Sequence, residues 1–201
     1  MIKFHKVSYE QFYKDYVKIN GDVTRDIMVR ELYDNIKLPK RATAKSAGYD
    51  FFAPYTVFLR EGKSVTIPTG ISVEMDDDVT LLLFPRSGLG FKHRIQLDNT
   101  IGVIDADYYM NPNNEGHIMC KLTRDSRTGV FSDYVAIEKG SGYMQGIFVN
   151  YLKTDDDDSE AVRTGGFGST TKKRVLTKRT ISDTIQESTT EGITLLGFGG
   201  S

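Results

Sequence analysis

From Ile36 onward the chain breaks into short β-type runs, each closed by turn residues: YTVFLREG, KSVTIPTG, ISVEMDDD, VTLLLFPRSG, RIQLDNT and GVIDADYY. Runs repeated at roughly 8 to 12 residues are too short for helices and too regular for linkers, and they imply an all-β sandwich or barrel. Helical period is confined to the start, where Phe4, Val7, Phe12, Tyr16 and Val17 recur among charged residues before a break at Asn20 and Gly21. A second short helix is expected over residues 24–33.

A chain of 201 residues, 39% of them hydrophobic, can bury one good core. Its 26 basic and 27 acidic residues nearly cancel, and the only basic stretch is Lys172, Lys173 and Arg174, so no nucleic-acid partner is expected. No window approaches the ~20 apolar residues of a membrane span, and MIKFHKVSYEQFYKDY lacks the apolar stretch of a signal peptide. The expectation is therefore a cytoplasmic protein with no membrane partner. The single cysteine, Cys120, excludes an intrachain disulfide framework and a multi-cysteine zinc site, and within HIMCKL it reads as a buried strand thiol.

Two segments read as loops. TRDSRTG (123–129) is one; KTDDDDSEA (153–161) is the other, where four adjacent aspartates repel and favour an extended, solvated chain. Those carboxylates lack the glycine turn and closing glutamate of a calcium loop.

Three features carry chemistry. In FPRSGLG (84–90) a strand ends in Arg86, Ser87 and Gly88: a cation, a hydroxyl and a residue whose missing Cβ lets backbone amides approach an anion. In RTGGFGSTTKK (163–173) glycines surround Arg163, Phe167, Ser169 and Thr170, a composition suited to a flexible lid over a nucleotide. It is no P-loop, because no GK[ST] follows at the required spacing. In GVIDADYY (102–109) a strand expected to bury Val103 and Ile104 presents Asp105 and Asp107 beside two tyrosines; a carboxylate at a strand end, next to a phosphate grip, is placed to take a proton from an attacking water.

In order along the chain, SAGYDFFAP, PRSGLG, the run from Asn99 to Tyr108, the neighbourhood of Gln145 and GGFGST resemble the five motifs of the trimeric dUTPase family. KLPKRAT precedes the first of them as in many members. The resemblance implies a jelly-roll or β-barrel fold and hydrolysis of dUTP to dUMP and pyrophosphate in sites shared within a homotrimer. It implies Asp105 as the general base for water attack on the α-phosphorus, with Asp107 not in that role. Tyr108 would pack on the deoxyribose and exclude a 2′-hydroxyl. Asn99 would open a hairpin whose backbone reads uracil, with Val103, Ile104 and Met119 lining the pocket. Arg86, Ser87 and Gly88 would grip the phosphates, Gln145 the α-phosphate region, and Asp50 a Mg²⁺ ion through water. In the arm, Phe167 and Gly168 would close over the base while Arg163, Ser169 and Thr170 meet the γ-phosphate.

The chain departs from the pattern in four ways. MNPNNEG enlarges the turn between Tyr109 and His117; GSGYMQ lacks the acid and arginine usual before Gln145; Arg163 stands one residue closer to GGFG, with Thr171 in place of a common glycine; and extra chain lies at both ends. The organisation expected is a helical extension over 1–32, a β domain over 33–152, an acidic linker and glycine-rich arm over 153–173, and a tail of unassigned role over 174–201. Two other readings are weighed: a dCTP deaminase, which shares the fold and the phosphate grip, and a dUTPase-like protein that also docks a protein partner through the N-terminal helices, the 123–138 insert or the tail.

Overall fold

The computed structural model describes residues 1–21, 26–126, 134–159 and 163. In chain order its elements are β1 (Lys3–Lys6), α1 (Tyr9–Asn20), α2 (Asp26–Asp34), β2 (Lys40–Arg41), β3 (Tyr49–Phe52), β4 (Val57–Arg60), β5 (Ser64–Pro68), β6 (Ile71–Glu74), β7 (Val79–Pro85), α3 (Ser87–His93), β8 (Ile95–Leu97), β9 (Gly102–Ile104), β10 (Met119–Arg124), β11 (Tyr134–Ile137) and β12 (Gly142–Asn150). The expected all-β class is the one observed: each of the six quoted runs contains a strand.

All pairings among the described strands are antiparallel, as short runs joined by tight turns require. The central sheet has the order β2-β3-β12-β7-β9, beside a second of order β5-β10-β8 and the pairs β1-β6 and β4-β11. Alternation places one face of each strand inward. β7 buries Val79, Leu81 and Leu83, and β10 buries Cys120 and Leu122, so Cys120 is the buried strand thiol its sequence suggests. Burial pushes that thiol far above its ordinary range.

Helix α1 begins where Ser8 caps it, its Oγ accepting from Gln11 N at 3.1 Å, and ends at Gly21, whose φ of 80° is open to glycine. Its apolar stripe enters the core: Phe12 is fully buried among the rings of Tyr16, Tyr33 and His117, a burial that contributes about 1.5–3 kcal/mol.

Two sequence expectations are corrected. Residues Lys3–Lys6 form a strand and not the start of a helix, because Phe4 meets Val73 across the β1-β6 ladder and packs on Phe51 and Phe148. Thr123 and Arg124 continue β10, paired with Gln96 and Ile95, so the loop opens only at Asp125. After Arg86 the chain enters α3. The acidic stretch 153–159 is exposed and outside any strand, as expected. Among the described residues no helix is long and apolar enough to cross a membrane.

Candidate active site

Both groups of candidate residues hang from β7. At its C-terminal end the chain turns into α3, and Arg86 is fixed by its N–H to Tyr143 O at 3.1 Å. Arg86 Nε lies 3.5 Å from Asp50 Oδ1. Asp50 stands on β3 directly across from Gln145 of β12, which places the first and fourth motifs beside the second. Two glycines clear the space: a Cβ at Gly142 would sit 2.7 Å from Arg86 Nη1, and one at Gly48 would sit 2.6 Å from Gln145 Oε1. A Cβ at Gly88 would meet nothing within 4 Å, so that position stays open to an approaching anion.

An open cavity of about 440 Å³ lies here, lined by Arg86, Ser87, Gly88, Lys92, His93 and Gly142. Three basic side chains and the outward amides of a first helical turn make it a phosphate-shaped environment. Lys92 and His93 were missed by sequence reasoning. Their signal is their spacing of four and five residues from Gly88, which joins them to the grip only once α3 is recognised as a helix.

At the other end, β9 runs antiparallel to β7, with Ile104 opposite Leu81 and Gly102 opposite Leu83. Asp105 therefore emerges beside Thr80, whose hydroxyl donates to Ile104 O at 3.0 Å. A 3-10 turn over Ala106–Tyr108 follows, closed by Tyr108 N donating to Asp105 O at 3.1 Å. Arg163 bridges the two carboxylates: its Nη2 donates to Asp105, its Nε donates to Asp107 at 2.8 Å, and its guanidinium lies 5.8 Å from the Tyr108 ring centre. Tyr108 is only 3% exposed; its hydroxyl donates to His117 O at 3.0 Å and accepts from Asn114 Nδ2 at 2.6 Å. Burial raises its hydroxyl above the ordinary tyrosine range.

Several expectations change at this end. Val103, expected buried with Ile104, is 54% exposed, since the strand's alternation turns it to the opposite face. Asn99 does not open a paired hairpin: β8 pairs with β10 and β9 with β7, so residues 98–101 cross between sheets, with Ile101 N donating to Asn99 O at 2.7 Å. Met119 is half-buried at the start of β10, opposite Pro68. Phe167, Gly168, Ser169, Thr170 and the tail lie outside the described residues.

The largest correction concerns distance. Asp105 stands level with Thr80, and Arg86 follows six residues further along β7, so the two are separated by about 20 Å at ~3.4 Å per residue. Asp105 is not next to the phosphate grip of its own chain. A water held by Asp105 cannot reach a phosphorus held by the same chain's Arg86. The candidate residues thus fall into two groups at opposite ends of one strand.

The model of the dUTPase family matches residues 34–171, well over half of the chain. The chain belongs to the dUTPase family. It is 43% identical over 138 residues to the deoxyuridine 5'-triphosphate nucleotidohydrolase of Lactococcus lactis subsp. lactis, a match spanning 67% of this chain and 88% of that one. The corresponding protein of Hahella chejuensis is 34% identical over 155 residues, spanning 73% and 95%. The crystal structure of the Streptococcus mutans dUTPase superposes with a TM-score of 0.55 at 34% identity, covering 76% of this chain and 98% of that one. A mutant dUTPase from phage phi11 of S. aureus, described as coordinating a structural Mg(II) ion, shares the fold at a TM-score of 0.54 and 17% identity, covering 80% and 97%. Residues 1–33 lie outside the dUTPase match.

The residues fit a family metal of one kind. Among the described residues no cluster of three or more His, Cys, Asp or Glu is arranged to enclose an ion. The phosphate end offers the single carboxylate of Asp50, 14% exposed and partly engaged by Arg86. That donor set suits a hydrated Mg²⁺ ion that draws its direct ligands from a triphosphate.

Proposed function

We propose that the chain hydrolyses dUTP to dUMP and pyrophosphate at sites completed between copies of a homotrimer. Family membership supports the reaction. What supports the shared site is the register of β9 on β7, which puts Asp105 roughly 20 Å from Arg86 of the same copy, too far for one copy to close.

In this reading Asp105 of one copy orients a water and takes its proton. The water oxygen forms a bond to the α-phosphorus, the bond from that phosphorus to the α,β-bridging oxygen breaks, and the electron pair leaves with pyrophosphate. Arg86 and Ser87 of a neighbouring copy stabilise charge growing on the bridging oxygen, and Gln145 orients the α-phosphate. Lys92 and His93 add positive charge along the same cavity wall. Mg²⁺, when bound on the triphosphate, neutralises phosphate charge, and Asp50 is the residue that would hold its waters.

Tyr108 is buried with Arg163 over its ring, and it faces the sugar once Arg163 turns away, leaving no room for a 2′-hydroxyl; the backbone from Asn99, with Val103, Ile104 and Met119, selects uracil. The exposure of Val103 supports this, because a residue turned out of its own core is available to a ligand. Arg163 occupies a lone pair of Asp105 that the water needs, so the arm must release the base as it turns to the γ-phosphate. Phe167, Gly168, Ser169 and Thr170 then close the site. The reaction belongs in the cytoplasm, in keeping with a lone buried thiol.

Pyrophosphate release from dUTP, dCTP, dTTP and UTP, measured side by side, tests the assignment. Release from dUTP alone is the expected result. Ammonia from dCTP would establish the deaminase reading, and absence of turnover on all four would leave a binding protein.

A further inference from the structure

The chain departs from its family at two places distant in sequence, and the structure joins them. The N-terminal 33 residues lie outside the family match, and the enlarged turn over residues 110–116 follows Tyr108. Ser8 N and Oγ donate to the two carboxylate oxygens of Glu115 at 2.7 and 2.6 Å. Two turns further into α1, Asp15 Oδ2 accepts from Gln11 Nε2 at 2.6 Å and lies 2.7 Å from His117 Nδ1.

The far side of the His117 ring settles its tautomer. Gly70 N–H can only donate, and it donates to His117 Nε2 at 2.8 Å, so the ring proton resides on Nδ1 and is donated to Asp15. His117 is fully buried and fixed on both edges, and its carbonyl is the acceptor for the Tyr108 hydroxyl. The turn itself cannot relax freely: Met110, Glu115 and Gly116 have φ of 53°, 56° and 74°, and a Cβ at Gly116 would lie 2.5 Å from Tyr108 O.

We propose that the N-terminal segment is a positioning clamp for Tyr108, in which Asp15 and Ser8, acting through His117 and Glu115, fix the ring that excludes ribonucleotides. The inference rests on the reading of Tyr108 as the sugar-facing residue. A buried Asp-His pair outside the catalytic machinery, connected through one residue to a specificity group, holds that group within the narrow tolerance that discrimination requires. The clamp thus makes sugar choice depend on Ser8 and Asp15, which lie outside the residues matched to the family.

The test compares kcat/KM for dUTP and UTP in the full-length protein and in four variants, with trimer mass and circular dichroism confirming assembly. Tyr108→Ala should lower the preference for dUTP, and it tests the underlying reading alone. Asp15→Leu removes the acceptor for His117 and should lower the preference about tenfold while the protein still turns over dUTP. Asp15→Asn keeps a carbonyl oxygen able to accept both hydrogen bonds and should restore it. Because losing a buried acceptor also costs stability, Glu115→Gln serves as a second arm at the partly exposed contact, with a smaller loss in the same direction. A change in preference for Tyr108→Ala with none in the assembled Asp15→Leu and Glu115→Gln proteins overturns the clamp and leaves the pocket reading intact. No change for Tyr108→Ala overturns both.

Discussion

At the scale of single residues, the strongest claim concerns Asp105, a carboxylate at the end of β9 that Arg163 holds in place. Asp105→Asn keeps the shape but cannot accept the water's proton, so kcat should fall by about 10²- to 10⁴-fold with dUTP binding retained; stopped-flow turnover beside equilibrium binding measures this. Asp107→Asn should leave kcat largely intact, since Asp107 meets Arg163 and has no assigned part in proton transfer. Asp15 supplies a prediction in pH. Burial pushes its carboxyl up, but hydrogen bonds from His117 and Gln11 outweigh that and hold it below the usual carboxylate range. A group depressed in the folded state contributes stability above its unfolded pKa of about 3.9 and loses that contribution as pH falls through the folded value. Melting temperature should therefore drop on acidification below about pH 4, and less steeply for Asp15→Asn; equal slopes would remove Asp15 from the account.

At the scale of elements, strands were legible because inward and outward residues alternate in runs such as VTLLLFP, where Val79, Leu81 and Leu83 face the core. β1 was not, since four residues carry too little period to separate a strand from the helix that follows, and only the partner Val73 decides. Nor was α3, whose SGLGFKH has two glycines against helix and is held by its position after β7. The motifs single out candidate residues but not their grouping: nothing local reveals that β9 runs against β7 and delivers Asp105 to the end opposite Arg86. The arm yields a test at this scale. A chain ending at Lys173 keeps Arg163, Phe167, Ser169 and Thr170 and should hydrolyse dUTP nearly as well as the full protein. One ending at Ala161 should assemble but turn over about 10²-fold more slowly, because on the proposed reading it lacks the arm that aligns the α-phosphate. Full activity in the shorter chain would remove the arm from the mechanism, and inactivity in the longer one would give residues 174–201 a role in chemistry or assembly.

At the scale of the whole molecule, the proposed function divides the labour between copies. In the proposed reading a chain whose Asp105 and Arg86 stand about 20 Å apart is catalytically incomplete alone, whatever the quality of each half-site. It follows that two inactive variants can complement one another. Asp105→Asn retains a sound phosphate grip, and Arg86→Ala retains a sound base. In a cyclic trimer containing both, one of the three interfaces joins an intact Asp105 to an intact Arg86. Refolding the two variants together at equal ratio makes roughly three quarters of the trimers mixed, so dUTP hydrolysis should recover to roughly a quarter of wild type. Native mass spectrometry confirms the mixing, and each variant refolded alone gives the baseline. Recovery near that fraction is the predicted result; mixed trimers no more active than the sum of their parents would contradict the shared site.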